Sequence, residues 1–436
     1  MLKSKKHIVI IGAGFAGLKI ARTLNNNSAY QITLIDKNNY HQFQPLLYQV
    51  ALANLDASNI SFPVRNIFEN SKNVRFRAAT VTNINCDANI IETANEKFSY
   101  DYLVIASGAA TNYFGNSAFE EKTFSMKSTW EALQIRNSLL QHFEDAVATK
   151  STNTEKLLSI VVVGGGPTGV ELSGALAEMK NDSLPAEYPE LDFTKMKIYL
   201  IEGTGRLLAS MSTAASIKAR EYLLKLGVTV KTNTIVKEYD GNKILLQDKS
   251  EIQSTFVIWT AGVKGNIPPG IKPELITKTN QIKTDIYNRV VTSNNVFAVG
   301  DIAYIEAESH RKGFPQLASV AVDQAKNAAN NFIRLSQGKT IQPYNYKNKG
   351  SMATVGRNKA VVDLARPKLS FHGFPAWFIW MTLHLFLLIG FKNRLMVFIN
   401  WVYKYFTHRQ SLALLFQPLT KKIATTIFEN QAIKKE

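Results

Sequence analysis

Two glycine-rich loops have the residue types and spacing that bind a dinucleotide pyrophosphate. In the first, Gly12, Gly14 and Gly17 follow the apolar run 8–11, and residues 18–24 have a helical pattern. Such glycines permit a tight turn and let the backbone approach the phosphates. The phosphates then accept hydrogen bonds from the helix N-terminus. The alternative to a dinucleotide-binding loop is a glycine-rich turn in another α/β fold.

The second loop repeats this arrangement a whole domain later in the chain. Gly164, Gly166 and Gly169 follow the apolar run 160–163 and precede the helix-like segment 172–180. One loop indicates a protein that binds a dinucleotide. Two loops predict two bound dinucleotides and electron transfer between them.

A carboxylate follows each loop at the end of the next predicted strand. Asp36 comes 19 positions after Gly17, close to the spacing of about 20 expected for an acid that binds an adenosine ribose. Glu202 comes later than usual, which an inserted loop at 181–195 explains. An acid there repels a 2′-phosphate and favours NADH over NADPH, whereas Arg206 nearby argues the other way.

A third motif, Gly300-Asp301, ends a predicted strand and is followed by a predicted helix at 317–335. The carboxylate is placed to accept a hydrogen bond from a ribityl hydroxyl, and the helix N-terminus favours negative charge on a flavin. The runs 101–108 and 255–262 each end in small residues, which lets a cofactor approach the strand end.

The repeated plan predicts an α/β protein with two Rossmann-like dinucleotide-binding domains, the second inserted in the first. We place the first part of the outer domain at 1–125 and the inserted domain at 126–285. The outer domain resumes at 286–365, and a C-terminal amphipathic helical, membrane-anchoring region occupies 366–436.

Composition narrows the class of partner. The formal net charge is +17, which indicates nucleic acid or an anionic membrane surface. No metal-ligand spacing or nucleic-acid motif is present, so we expect no metal site and no nucleic acid, and anionic lipid is favoured. The single cysteine, Cys86, excludes a redox cysteine pair. The first apolar run carries the first glycine loop, so we expect no export signal.

The C-terminal region predicts membrane attachment. Residues 374–391 carry no formal charge when His384 is neutral, which meets the lower length of a spanning helix. An amphipathic pair of helices in the interface fits better than a span, a buried core or a dimer surface. The expected outward apolar stripe is Leu395, Phe398, Ile399, Val402 and Phe406. The expected interfacial aromatics are Trp377, Trp380, Trp401, Tyr403 and Tyr405, and the expected cations are Lys404, His408, Arg409, Lys421 and Lys422.

With three motifs in this order, the chain resembles the flavoproteins with two dinucleotide-binding domains. It is most similar to the type II NADH dehydrogenases, which are single-subunit NADH:quinone oxidoreductases. The stretches that carry the resemblance are 40–51, 167–176, 298–301, 349–357 and 374–406. By itself, the aromatic-rich stretch 40–51 is equally compatible with a packed connection.

The resemblance implies FAD on the first loop and NADH, as substrate, on the second. It implies contacts to FAD from Gly12, Gly14, Phe15, Ala16, Gly17, Asp36, Lys37, Gln44, Ala106, Gly108, Gly300, Asp301, Gln316, Leu317, Ala318 and Lys349. For NADH it implies Gly164, Gly166, Pro167, Thr168, Gly169, Glu171, Glu202, Ala261 and Gly262.

Two catalytic residues are also implied by the resemblance. Glu171 matches a glutamate proposed to relay protons where nicotinamide, flavin and quinone meet. The alternative is an acid that only stabilises the first turns of a helix. Lys392 matches a lysine near the quinone entrance, and the alternative is a lysine that only contacts lipid phosphates.

The implied quinone site departs from the family pattern. It comprises Pro45, Ser319, Val322, Asp323, Gly350 and Met352. The family's Ala-Gln-x-Ala-x-Gln is here Ala-Ser-Val-Ala-Val-Asp, so Ser319 and Asp323 replace both glutamines. Gln316 and Gln324 lie nearby at other positions. We therefore expect a quinone pocket with altered polar contacts.

The resemblance implies a FAD-dependent NADH:quinone oxidoreductase that feeds a respiratory chain without pumping protons. We expect peripheral, monotopic attachment to the cytoplasmic face of the inner (cell) membrane, and a homodimer remains open. The alternatives are a soluble-type NAD(P)H reductase of a protein acceptor and a membrane-bound NADH-sensing flavoprotein.

Overall fold

The computed structural model describes residues 5–148, 156–307, 310, 313–409 and 412–415. Two predicted tail cations, Lys421 and Lys422, lie outside the described residues.

The described chain contains helices along its whole length, including one directly after each glycine loop and two in the C-terminal region. They are α1 (Phe15–Thr23), α2 (Leu47–Ala51), α3 (Ala57–Ile60), α4 (Val64–Ile67), α5 (Ser117–Lys122), α6 (Thr129–Ala148), α7 (Pro167–Asp182), α8 (Leu184–Glu187), α9 (Thr213–Lys225), α10 (Ala318–Ser336), α11 (Phe374–Leu387) and α12 (Phe391–Thr407).

The strands form two five-stranded parallel sheets, a parallel pair (Ile282–Thr284 with Ala303–Ile305) and several small antiparallel sheets. They are β1 (Lys6–Ile11), β2 (Tyr30–Asp36), β3 (Tyr40–Gln42), β4 (Ser61–Pro63), β5 (Val74–Ala78), β6 (Val81–Asn85), β7 (Ile90–Thr93), β8 (Lys97–Ser99), β9 (Tyr102–Ile105), β10 (Ala109–Thr111), β11 (Phe124–Ser125), β12 (Ser159–Val163), β13 (Lys197–Ile201), β14 (Val228–Lys231), β15 (Val236–Tyr239), β16 (Lys243–Leu246), β17 (Glu251–Gln253), β18 (Phe256–Trp259), β19 (Val263–Gly265), β20 (Ile282–Thr284), β21 (Val296–Ala298), β22 (Ala303–Ile305), β23 (Ser351–Thr354), β24 (Ala360–Leu364) and β25 (Leu369–His372).

Each glycine loop lies at the centre of a five-stranded parallel sheet. The first sheet has the order β21-β9-β1-β2-β5, and the second has the order β11-β18-β12-β13-β14. The chain leaves the first sheet after β9, builds the second, and returns with β21 beside β9. In both sheets the central strands are buried on both faces, which explains their continuous β-branched runs.

The turns after β1 and β12 require glycine for steric reasons. Gly12 and Gly164 have positive φ, +102° and +114°. A Cβ on Gly12 would overlap the Ala106 carbonyl, and one on Gly164 would lie 2.7 Å from the Ala261 nitrogen. A Cβ on Gly17 or Gly169 would collide with the carbonyl of Gly12 or Gly164, which fixes the close packing of helix on strand.

Two predicted segments differ from the structure. Helix α7 begins at Pro167, directly after the loop, because proline suits the first turn of a helix, whose first N–H groups have no intrahelical partner. The predicted loop at 181–195 contains the last turn of α7, helix α8 and a short 3₁₀ turn at Phe193–Lys195. Its Leu184 and Phe193 are buried, so the insertion packs as part of the domain.

The C-terminal region joins a small antiparallel sheet, β23-β24-β25, to two helices separated by Gly390 at positive φ. Helix α11 packs on β24, and α12 contacts α3. Asn393 of α12 donates hydrogen bonds to the carbonyls of Ser58, Asn59 and Ser61 at 3.1, 3.0 and 3.3 Å. The tail helices are therefore fixed against the first domain.

One face of the tail helices is apolar and exposed. The stripe predicted on α12 is exposed along its length, and Phe386, Phe391 and Phe406 are 67, 79 and 76 % exposed. The prediction that Trp380 and Trp401 are interfacial is wrong. They are 2 and 9 % exposed, because they lie on the inner faces of α11 and α12 against the protein core. Within the described part of the chain, no helix has both the length and the apolarity needed to cross a membrane.

Candidate active site

A cavity of about 750 Å³ lies at the carboxyl ends of β1, β2, β9 and β21. Its volume is within the range of ~300–1,000 Å³ that cofactor sites occupy, and strand ends are where ligands bind in such sheets. Most residues predicted to hold FAD line it. They are Gly12, Gly14, Phe15, Ala16, Asp36, Lys37, Gln44, Ala106, Gly108, Gly300, Asp301 and Ala318.

The acids that follow the two loops make the same pair of hydrogen bonds. Asp36 accepts from the Ala13 N–H at 2.7 Å and from the Asn38 N–H at 2.8 Å. Glu202 accepts from the Gly165 N–H at 2.6 Å and from the Thr204 N–H at 2.7 Å. Each acid thus accepts one hydrogen bond from a backbone N–H in the middle of its glycine loop. It accepts a second from the backbone N–H of the residue two positions after the acid itself. The two units are built on one local design.

The phosphate-facing positions of the loops are open. A Cβ added to Gly14 or Gly166 would meet no atom within 4 Å, unlike one added to Gly12 or Gly164. Gly14 and Gly166 are also the residues that precede α1 and α7. A ligand can therefore approach the N–H groups that begin each helix, as a pyrophosphate requires.

The side chains of Gln316 and Gln324 hold the Gly300-Asp301 turn in place by hydrogen bonds to its backbone. The Gln316 amide donates to the Asp301 carbonyl at 2.8 Å, and the Gly300 N–H donates to the Gln324 side chain at 2.7 Å. Burial raises the pKa of the Asp301 carboxyl, while the nearby Lys127 cation lowers it. The two glutamines noted near the altered quinone motif thus fix the Gly300-Asp301 turn.

Four residues predicted around FAD do not line this cavity. Gly17 packs against the loop, and Gln316 contributes through Asp301. Leu317 precedes α10 and is 39 % exposed. Lys349 forms an ion pair with Asp323 at 2.6 Å.

The residues predicted around quinone lie on several elements. Pro45 belongs to a short 3₁₀ turn at Gln44–Leu46, and Met352 lies in β23. Ser319, Val322 and Asp323 are partly buried on α10. Gly350 has φ +96°, and a Cβ there would overlap the Asp363 carbonyl. Asp323, which replaces a family glutamine, is paired with the Lys349 cation.

The residues predicted around NADH surround the second loop. Pro167, Thr168 and Gly169 form the first turn of α7. The Ala261 carbonyl accepts a hydrogen bond from the Trp259 indole N–H at 2.9 Å. Gly262 has φ +73°, and a Cβ at this position would collide with the Phe114 ring. Arg206 donates to Thr213 and to the Ala209 carbonyl.

Glu171 is a buried carboxyl on the first turns of α7. Its side chain accepts a long hydrogen bond, 3.4 Å, from the Thr354 N–H of β23. Burial raises its pKa from 4.5 to about 8, and the Thr354 N–H and the adjacent Trp380 indole only partly oppose this. The Trp380 indole N–H has no hydrogen-bond partner in the described chain. Glu171 is therefore poised to hold or release a proton near neutral pH.

A chain of buried hydrogen bonds links Glu171 to helix α12. Tyr48 shares a hydrogen bond with the Thr354 hydroxyl at 3.0 Å and accepts one from Gln49 at 3.0 Å. The Trp401 indole N–H donates to the side-chain oxygen Oε1 of Gln49 at 2.7 Å. Beside it lies a small cavity of about 80 Å³, lined by Glu171, Trp380, Trp401 and neighbouring side chains. No sequence pattern predicts this hydrogen-bonded chain, because its members come from distant stretches.

Lys392 lies apart from this chain. It is exposed near the start of α12, and within the described residues it forms no hydrogen bond or ion pair. The structure brings Glu171 together with Thr354 and Trp380, and leaves Lys392 free at the surface.

Lys127, which lines the first cavity, was missed because it belongs to no motif.

The residues present fit FAD in the first cavity. The cavity has a suitable volume, an open glycine cradle at Gly14 and a carboxylate at each end, Asp36 and Asp301. These groups match the pyrophosphate, the adenosine ribose and the ribityl chain of a flavin dinucleotide.

Comparisons with known proteins agree with this geometry. Residues 6–325 match the pyridine nucleotide-disulphide oxidoreductase family, and residues 348–410 match the NDH2 C-terminal domain. The type II NADH:quinone oxidoreductase Ndh of Mycobacterium tuberculosis is 33% identical over 93% of this chain and 89% of its own. An internal alternative NAD(P)H-ubiquinone oxidoreductase of Arabidopsis thaliana mitochondria is 29% identical over 91% of this chain and 84% of its own.

Solved structures support the same fold. NDH2 from Plasmodium falciparum, solved in complex with NADH, matches with a TM-score of 0.86 and 23% identity, covering 95% of this chain and 100% of that one. The sulfide:quinone oxidoreductase of Aquifex aeolicus matches with a TM-score of 0.71 and 20% identity, over 95% and 96%. From the family models and the relatives together, the chain belongs to the type II NADH:quinone oxidoreductases.

Proposed function

We propose that the protein is a FAD-dependent NADH dehydrogenase that reduces a membrane quinone and pumps no protons. The observation that carries this proposal is the buried carboxyl of Glu171. It lies on the helix that begins at the second dinucleotide loop and contacts β23 of the C-terminal sheet. Bound FAD would supply the redox chemistry that connects NADH with quinone.

The first cavity is proposed to orient the cofactor. Asp36 binds the adenosine ribose, the N–H groups after Gly14 bind the pyrophosphate, and Asp301 binds the ribityl chain. Gln316 and Gln324 keep Asp301 and Gly300 in place through the hydrogen bonds described above. The N-terminus of α10 adds a positive partial charge beside the bound group.

The second loop is proposed to bind NADH in preference to NADPH. Glu202 would accept hydrogen bonds from the ribose diol and repel a 2′-phosphate. Arg206, the residue that argued for NADPH, is already engaged by Thr213 and Ala209. Its guanidinium would have to give up both hydrogen bonds to bind a phosphate, which supports the preference for NADH.

Glu171 is proposed to handle the proton that accompanies quinol formation. A carboxyl with a pKa of about 8 is protonated at neutral pH and can donate to a developing quinol oxygen. Thr354 orients it, and the surrounding indoles and tyrosine exclude bulk water. The simple helix-stabilising alternative does not require burial, which supports the proton role.

The quinone is proposed to bind near Pro45, Ser319, Val322, Asp323, Gly350 and Met352. The ion pair between Asp323 and Lys349 neutralises the carboxylate that replaces a family glutamine. An apolar quinone ring therefore meets a neutral pair rather than an isolated charge. Lys392 is proposed to lie at the entrance, where an exposed cation also contacts lipid phosphates.

Helices α11 and α12 are proposed to attach the protein to the cytoplasmic face of the cell membrane. Their exposed apolar side chains would enter the lipid interface, with α12 as an amphipathic helix whose inner face holds Val397 and Trp401. The net charge of +17 supports attraction to anionic lipid.

Anaerobic mixing tests the enzymatic proposal. Purified protein with bound FAD should lose its flavin absorbance when NADH is added and regain it when a short-chain quinone follows. Glu171→Gln should leave the first step intact and slow the second. Retention of the reduced spectrum after quinone addition to the wild type would contradict quinone reduction.

Vesicle flotation tests the attachment proposal. Phe386→Ser combined with Phe391→Ser, at exposed apolar positions of the tail, should release the protein from vesicles of phosphatidylglycerol and phosphatidylcholine while FAD stays bound. Ile217→Ser is a matched control, because Ile217 is 61 % exposed on α9, outside the tail. Continued flotation of the double variant would refute attachment through the tail.

A further inference from the structure

Lys127 is a cation of the cofactor cavity that no motif assigns. It lies between β11 and α6, and it lines the first cavity together with Asp301 and Gln44. Its backbone is held from two sides. The Lys127 N–H donates to the Glu131 carboxylate at 2.7 Å, and its carbonyl accepts from the Gln42 and Gln44 amides at 3.2 and 3.1 Å. The position of this lysine is therefore fixed by the fold.

The Lys127 ammonium has no anion at hydrogen-bond distance in the described part of the chain. Glu131, the nearest acid in sequence, also accepts from the Ser125 and Ser128 hydroxyls at 2.5 and 2.9 Å. Burial lowers the pKa of Lys127, and attraction to Asp301 and Glu131 opposes that effect. A partly buried cation that lines a cavity and has no fixed counter-ion is placed to meet a negatively charged ligand.

The electrostatic neighbours place Lys127 at one end of the cavity. Its strongest charged partner is Asp301, and Asp301 in turn is influenced by Lys127. Lys37 lies beside the other acid, Asp36, at the opposite end of the cavity. Its positive charge lowers the pKa of the Asp36 carboxyl. Lys127 therefore belongs to the ribityl and isoalloxazine end, and Lys37 to the adenosine end.

We propose that Lys127 binds the cofactor and stabilises the negative charge of the reduced flavin. Transfer of a hydride from NADH to flavin N5 moves one hydrogen nucleus and two electrons, leaves NAD⁺, and gives the flavin one negative charge. Lys127 interacts with that charge, so it favours the reduced cofactor over the oxidised one. The inference rests on the proposed binding of FAD in this cavity.

Redox titration of the bound flavin tests the inference. Lys127→Met should shift the midpoint potential to a more negative value, and Lys127→Arg should retain most of the wild-type potential. Lys122→Met is the matched control, because it removes the same charge from an exposed lysine that donates to the Asp240 carbonyl and does not line the cavity. It should leave the potential unchanged. If Lys127→Met does not retain flavin, Lys127→Gln provides the same titration.

Two results would overturn the inference. An unchanged potential in Lys127→Met or Lys127→Gln, with FAD binding weakened, would mean that the lysine only holds a phosphate. An equal shift in Lys122→Met would mean that the overall charge of the protein, rather than the place of Lys127, sets the potential. Failure of the wild type to bind FAD would instead refute the proposed function, so the two failures are distinguishable.

Discussion

Replacement of Glu171 by glutamine should make the protein more stable at neutral and alkaline pH. The pKa of this carboxyl rises from 4.5 to about 8 because the charged form is buried. Between these two values the unfolded chain has lost the proton and the folded chain keeps it. The stability that the folded protein has below pH 4.5 is therefore lost progressively as the pH rises from about 4.5 through about 8.

The magnitude follows from the two pKa values. At about 1.36 kcal/mol per pKa unit, the full effect is about 5 kcal/mol above pH 8 and about 3 kcal/mol at pH 7. Glutamine stays neutral and can still accept from the Thr354 N–H, so Glu171→Gln removes the penalty without removing the hydrogen bond. For a chain of this length, about 1 kcal/mol corresponds to about 1–2 °C in Tm.

Thermal unfolding of the two proteins from pH 5 to pH 9 measures this effect. The Tm of Glu171→Gln should exceed that of the wild type by only about 1 °C at pH 5 and by about 3–6 °C at pH 7. The exposed Glu190→Gln is the control and should follow the wild type. Parallel Tm curves for wild type and Glu171→Gln would refute the raised pKa of Glu171, and with it the proposed proton donor.

Three further variants test the site and the tail. Gly164→Ala places a Cβ against backbone at φ +114°, which should cost about 1–3 kcal/mol and raise the KM for NADH tenfold or more while FAD stays bound. Gln49→Leu leaves the buried Trp401 indole N–H unpaired, so chemical denaturation should show a loss of about 1–3 kcal/mol. Phe398→Ser combined with Phe406→Ser should weaken vesicle binding at least tenfold in flotation, because each exposed ring contributes about 1–2 kcal/mol on insertion.

The nucleotide-binding units were predictable because their determinants are local. Strand, glycine turn, helix and acid follow one another within a few tens of residues, and steric contacts at Gly12 and Gly164 leave no alternative residue. The structure confirms the parallel sheets around both loops. It also confirms the outward apolar stripe of α12.

Long-range contacts were not predictable in the same way. Trp380 and Trp401 have the residue type of an interfacial belt, but their side chains face a core formed by segments hundreds of positions away. Lys127 acquires its place from Gln42, Gln44 and Glu131, none of which forms a motif with it. Periodicity shows which residues share a helix face, and only the packing decides which face is inside.

The most direct test of the account is a double-mixing experiment on the FAD-loaded protein attached to anionic vesicles. NADH is added first without oxygen, and a membrane quinone is added after the flavin absorbance has fallen. The oxidised flavin spectrum should recover fully, with a rate that declines above about pH 8 in the wild type and loses that dependence in Glu171→Gln. A flavin that NADH reduces but quinone leaves reduced would contradict the proposed quinone reduction.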